Sequence, residues 1–198
     1  MMRRRLAHLV SDRRGLAVVE FAMIAPVFLL LTLGGLEVCH TMYVRSLLVG
    51  QLQKAARDLS LEGAAAQTQQ DAITAAVRSA VRSVVPAATV TVVPKSYHDY
   101  SNVASPAEEY NDADHDGVCN HGEAFVDMNR NGHWDADGGT NDRGGAKDVV
   151  LLIATVSYDR MPLGRMFAAS PRMTLIAKTM IRNQPNDTQA DPPTALCS

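Results

Sequence analysis

The sequence predicts an α+β fold: a long N-terminal transmembrane helix, a second helix, and a small antiparallel β-sheet with a calcium-loop-like insertion. Three observations carry that prediction. An apolar run of membrane-spanning length stands near the N-terminus, β-branched runs occupy the second half of the chain, and an acidic, glycine-punctuated stretch lies between two of those runs. The 198 residues carry 19 Lys and Arg against 21 Asp and Glu, a net of −2, so no global basic field points to nucleic acid. The charge is nevertheless uneven. Residues 108–148 hold eleven acids and three bases, a net of −8, and the other 16 bases and 10 acids leave +6 elsewhere.

Five arginines (Arg3, Arg4, Arg5, Arg13, Arg14) precede the run Leu16 to Val38, in which only Glu20 and Glu37 are charged. At 1.5 Å per residue this run makes a helix of about 34 Å, enough to cross a hydrocarbon core of roughly 30 Å. It is also longer than the core of a secretory signal. The arginines predict a cytoplasmic N-terminus and an extracytoplasmic remainder at the inner membrane. Helical spacing continues through Val44, Leu47, Leu48, Leu52, Ala55, Ala56 and Leu59, which predicts one helix over 16–61. Glu20, five places into the apolar run, costs about 2.5 to 3.5 kcal/mol in lipid unless it snorkels or finds a partner.

Basic residues, Gly15, four non-acidic residues and Glu20 follow the layout of a class III signal. The segment RRGLAVVEFAMIAPVFLLLTLGGLEVCHTMYVRSLLVGQLQKAARDLS resembles the TadE-like pseudopilins of the tight-adherence (Flp, type IVc) pilus system. Gly15, Glu20, Phe21, Pro26, Glu37 and the stretch Ala55 to Ser60 carry the likeness. The resemblance implies a pilin-like architecture and a leader, residues 1–15, removed by prepilin peptidase between Gly15 and Leu16. It also implies a Glu20 that meets the new amino terminus of a neighbouring subunit during assembly. The implied partners are prepilin peptidase, other pilins and pseudopilins, the pilus assembly machinery and the inner membrane, with no nucleic acid.

The second helix is predicted over Thr68 to Val85, with Ile73, Val77, Ala80, Val81 and Val84 on one face and Pro86 ending it. Gly63 and its Ala/Gln surroundings separate the helices. Ala88 to Val93 reads as a strand, and the second helix and first strand together make a segment 62–93. Asp148 to Asp159 and Arg172 to Asn183 read as two further strands, a C-terminal hairpin over 148–183. Arg160 to Pro171, with Pro162, Gly164 and Pro171, reads as their connecting loop. The tail 184–198 is polar and Pro-rich and reads as extended.

The insertion 94–147 holds the candidate site. Asp112, Asp114, Asp116, Gly117, Asn120 and Glu123 meet a twelve-residue calcium-loop pattern: oxygen ligands at positions one, three and five, Gly at six and Glu at twelve. Val118, at position seven, offers its carbonyl. A second copy begins fifteen residues later with Asp127, Asn129, Asn131, Gly132, Asp135 and Asp137. It has Gly138 at position twelve, so Asp135 or Asp137 must complete its shell. A plain solvated acidic loop is the competing reading, but two glycines in the same register favour Ca2+ as a structural clamp. Affinities of about 10⁻⁴ to 10⁻³ M suffice outside the cell.

His98, His115, His121 and His133 with Cys119 match no closed zinc spacing and read as surface residues. Neither a GxSxG elbow nor an HExxH helix is present in the sequence, so it predicts no enzyme. Cys119 and Cys197 lie on the oxidising side of the membrane and can form a disulfide; Cys39 reads as a buried thiol or a subunit contact. The function expected is that of a minor pilin with a calcium-stabilised head acting in surface adhesion. The alternatives are a calcium-binding adhesin or receptor on a membrane anchor that does not polymerise, and a membrane-anchored hydrolase.

Overall fold

The computed structural model describes residues 15–60, 67–167, 169–184 and 188–197. The leader up to residue 14 and the linker around Gly63 lie outside the described residues. The elements are helix α1 (Leu16–Leu59), helix α2 (Gln67–Val84), strand β1 (Thr89–Tyr97), helix α3 (Tyr100–Ala104), strand β2 (Ala124–Val126), strand β3 (Val149–Asp159), helix α4 (Pro162–Phe167), strand β4 (Arg172–Arg182) and strand β5 (Thr194–Leu196). The fold is α+β, with a long apolar N-terminal helix and two small antiparallel sheets. The chain divides into two units.

The first unit comprises the start of α1 up to Met42 together with residues 160–171. Its apolar side chains are exposed: Val18, Phe21, Met23, Ile24, Leu31 and Leu36 are each more than half accessible. α1 is long and apolar enough to cross a membrane. Thr32 returns its hydroxyl to the Phe28 carbonyl at 2.9 Å, which satisfies a polar group within the helix itself. Pro26 is accommodated inside the helix although it supplies no N–H to the ladder. Cys39 is a free and exposed thiol, so of the two expectations the buried thiol is corrected and the subunit contact is left standing.

The second unit comprises residues 43–159 and 172–198. Its larger sheet has the order β1-β3-β4, antiparallel throughout, with Val92 opposite Ala154 and Ala154 opposite Ala177. Strict alternation on β3 turns Val150, Leu152, Ala154, Val156 and Tyr158 to one buried face, as a period of two requires. Against that face pack Val44, Leu48, Leu52, Ala55, Ala56 and Leu59 of α1 and Ile73, Val77 and Val81 of α2. Arg82 donates from Nε to the Ala88 carbonyl at 3.1 Å, fixing the turn between α2 and β1.

One loop expectation is corrected: the connection after β3 contains α4. The tail, expected to be extended, contains the short strand β5, which pairs antiparallel with β2 in a second sheet. The tail is drawn into a strand because β2 offers an otherwise unpaired edge and Cys197 is covalently held.

Candidate functional site

The acidic insertion is built on a duplicated segment. Residues 108–119, EEYNDADHDGVC, and 123–134, EAFVDMNRNGHW, align at an offset of fifteen, so that Glu108 corresponds to Glu123, Tyr110 to Phe125, Asp112 to Asp127 and Gly117 to Gly132. The residues that lead into the two loops pair with each other: Tyr110 bridges Phe125 antiparallel, Asn111 N–H donates to Ala124 at 2.9 Å and Val126 N–H to Glu109 at 2.9 Å. Phe125 is 1% exposed and is the apolar anchor between the loops. Tyr110 meets Trp134 edge to face, with centroids 5.6 Å apart.

Both loops curl the same way. His115 and Arg130 stand at φ 63° and 60°, and Gly117 and Gly132 at 78° and 79°, where a side chain is strained and glycine is not. In the first loop, carboxylate oxygens of Asp112, Asp114 and Asp116 lie within 4.8 Å of one another. Asp112 accepts from the N–H groups of Asp116 and Gly117, each at 3.1 Å, and Asp116 accepts from Val118 N–H at 2.8 Å. The Asn120 side-chain amide bonds Asp116 at 2.8 Å, the chief cause that holds the Asp116 carboxyl below its usual range. Oδ1 of Asn120 is buried and accepts no hydrogen bond.

The second loop repeats this pattern. Asp127 accepts from Asn131 N–H at 3.1 Å and Gly132 N–H at 2.8 Å. Asn131 accepts from His133 N–H at 2.7 Å. Asp135 Oδ2 receives the side-chain amides of Asn129 and Asn131 at 2.8 and 2.6 Å. Asp137 is engaged elsewhere: it pairs with Lys95 and accepts from the Tyr97 hydroxyl at 3.1 Å.

The closing carboxylates are exchanged between the copies. Glu123 accepts from the second and ninth residues of the first loop, Ala113 N–H at 2.6 Å and Asn120 N–H at 3.3 Å. Glu108 does the same for the second loop, accepting from Met128 N–H at 2.7 Å and Asp135 N–H at 2.9 Å. Glu108 is 2% exposed, and burial pushes its carboxyl above the ordinary range. A Cβ on Gly138 would strike the Glu108 side chain, so the glycine at position twelve makes room for a glutamate arriving from the other copy. Glu108 stands outside both twelve-residue patterns, and the signal for it in the sequence is the fifteen-residue repeat, which begins four places before Asp112.

Cys119 and Cys197 are joined by a disulfide with Cα atoms 5.5 Å apart, tying the first loop to β5. His115, His121 and His133 are exposed. His121 Nδ1 lies 3.3 Å from Asp114 Oδ2. At the other end of the chain Gly15, Leu16 and Glu20 are exposed at the start of α1.

These features define a protein with, among the described residues, one candidate membrane helix and a folded α+β unit carrying paired acidic loops. Residues 15–58 match the model of the family described as TadE-like protein, and so are consistent with a component of the Tad/Flp pilus system. That family is one of pilus components and is not known as a family of enzymes. No curated protein and no solved structure matches the chain.

Proposed function

We propose that this chain is a minor pilin or pseudopilin of a tight-adherence pilus, anchored in the inner membrane with its acidic head outside. The observation that carries the reading is the TadE-like match over residues 15–58, which begins at the glycine where processing would occur. Removal of residues 1–15 frees the amino group of Leu16, and Glu20 then has a cationic partner on a neighbouring subunit. Such a pairing turns a charge that is costly in lipid into a register between helices. The mature N-terminus, measured by mass spectrometry with and without prepilin peptidase, tests this reading. Loss of residues 1–15 only when the peptidase is present is the expected result, and an unchanged mass in both strains rejects it.

The same reading gives the head a calcium-stabilised structure. The first site would use Asp112, Asp114, Asp116, the Val118 carbonyl, Asn120 and Glu123; the second would use Asp127, Asn129, Asn131, Asp135 and Glu108. Supporting this are the oxygen-only donor sets, the unsatisfied Asn120 Oδ1 and the reciprocal closure by Glu123 and Glu108. A hard, multi-oxygen shell of this kind suits Ca2+ better than Mg2+, which keeps a rigid octahedron and its waters. Calorimetric titration of the chelator-treated full chain in detergent should give calcium-dependent heat that magnesium does not reproduce. Equal responses to both ions, or none to either, would count against the assignment.

A further inference from the structure

We infer that the connection between β3 and β4, residues 160–171, is a second contact with the membrane, lying at the boundary between headgroups and acyl chains on the extracytoplasmic side. The inference rests on the reading of α1 as a membrane helix. Glu37 stands 21 residues beyond Leu16, about 32 Å along a helix and so at the far edge of a hydrocarbon core of roughly 30 Å. A carboxylate at that depth needs a partner. The connection supplies one: Arg160 donates to Glu37 Oε1 at 3.3 Å, and these two side chains are only 26% and 15% exposed. Gly164 lies so close that a Cβ there would strike the Glu37 carboxylate. Two points of the connection are therefore held at the level of Glu37.

What is held there suits an interface. The stretch Met161 to Phe167, MPLGRMF, is apolar except for Gly164 and Arg165. Met161 is 39% accessible and Arg165 is exposed. Arg160 also closes the connection on itself, its backbone N–H donating to Pro171 at 3.0 Å and its Nε to Ser170 at 3.2 Å. A short segment carrying a cation, fixed beside the end of a spanning helix, fits lipid: Met161 meets acyl chains while Arg165 meets anionic phosphates. The bilayer is the occupant that this continuity with α1 selects.

The test places an environment-sensitive fluorophore on the full chain at Met161→Cys or at Met23→Cys, each with Cys39→Ser, in vesicles containing anionic phosphatidylglycerol. A nitroxide carried on the upper acyl chain should quench the 161 label several-fold more than a water-soluble nitroxide does. Adding Glu37→Ala and Arg160→Ala, which removes this side-chain contact, should reverse that preference. Quenching by lipid at 23 but not at 161 overturns the inference while leaving the anchor intact. Quenching by lipid at neither position removes the anchor reading and the inference with it. A 161 label quenched equally in the released variant also overturns it, because the Glu37 contact would then not set the position.

Discussion

A carboxylate that is 2% exposed has given up water, and for Glu108 the replacements include the N–H groups of Met128 and Asp135. Glu108→Ala therefore strands two half-buried donors in a loop that is not its own, at a cost of up to about 1 to 3 kcal/mol for each unsatisfied group. Amide exchange should accelerate at Met128 and Asp135 while Ala113 and Asn120, closed by Glu123, keep their protection. Equal acceleration in both loops would show that Glu108 supports the head as a whole rather than closing one loop. Asp99 illustrates the opposite electrostatic case. It caps α3, accepting from Ser101 N–H at 2.8 Å within a capping box with Asn102, and the Ser101 hydroxyl chiefly holds its carboxyl below the ordinary carboxylate range. A depressed folded-state pKa contributes stability that is present above the unfolded value and lost as pH falls through the folded one. Asp99→Asn keeps a capping oxygen but not the charge, so it should melt somewhat below the parent at pH 7, lose less stability than the parent between pH 5 and pH 3, and approach it there.

Elements with their own apolar period were the ones the sequence could reveal. β3 opens as an unbroken apolar run, VVLLIA, and alternates only from Ala154 through Tyr158, while α1 repeats at three and four through Leu59, so each announces itself as an element. Leu152, wholly buried at the centre of β3, packs in the cluster that includes Leu48, Leu52 and Val77. Its replacement by alanine should cost about 2 to 5 kcal/mol, seen as a lower melting temperature, whereas Thr91→Ala on exposed β1 should change little. β5 had no such signal: three residues in a proline-rich tail become a strand only because β2 lies ready and Cys197 is joined to Cys119. α4 was hidden for a similar reason, since six residues between prolines carry too little pattern to distinguish a helix from a loop. Glu108 was hidden because a ligand set was sought in consecutive positions, and its partner loop begins nineteen residues later in the chain.

Across the whole molecule the sources of order differ from one region to another. The α1, α2 and sheet cluster holds itself together through apolar contacts. The acidic insertion has far less of this: Phe125 is its one large apolar side chain among those fully buried in the described residues. Its shape depends on paired strands, the disulfide and hydrogen bonds to carboxylates that repel one another. Two restraints of different kind hold it, covalent closure across a sequence separation of 78 and the proposed cations. Each constrains the same loops, so their losses should not add independently. With calcium present, Cys119→Ser with Cys197→Ser should leave residues 108–138 resistant to protease although β5 frays. With chelator and the disulfide intact, cleavage should appear in the loops. With both removed, the insertion should be cut fastest, by more than the product of the two separate rate increases, while far-ultraviolet circular dichroism retains the helical signal of α1 and α2. Multiplying rate increases would indicate two independent restraints, and parallel loss of the helical signal would show that the acidic insertion supports the core instead of being carried by it.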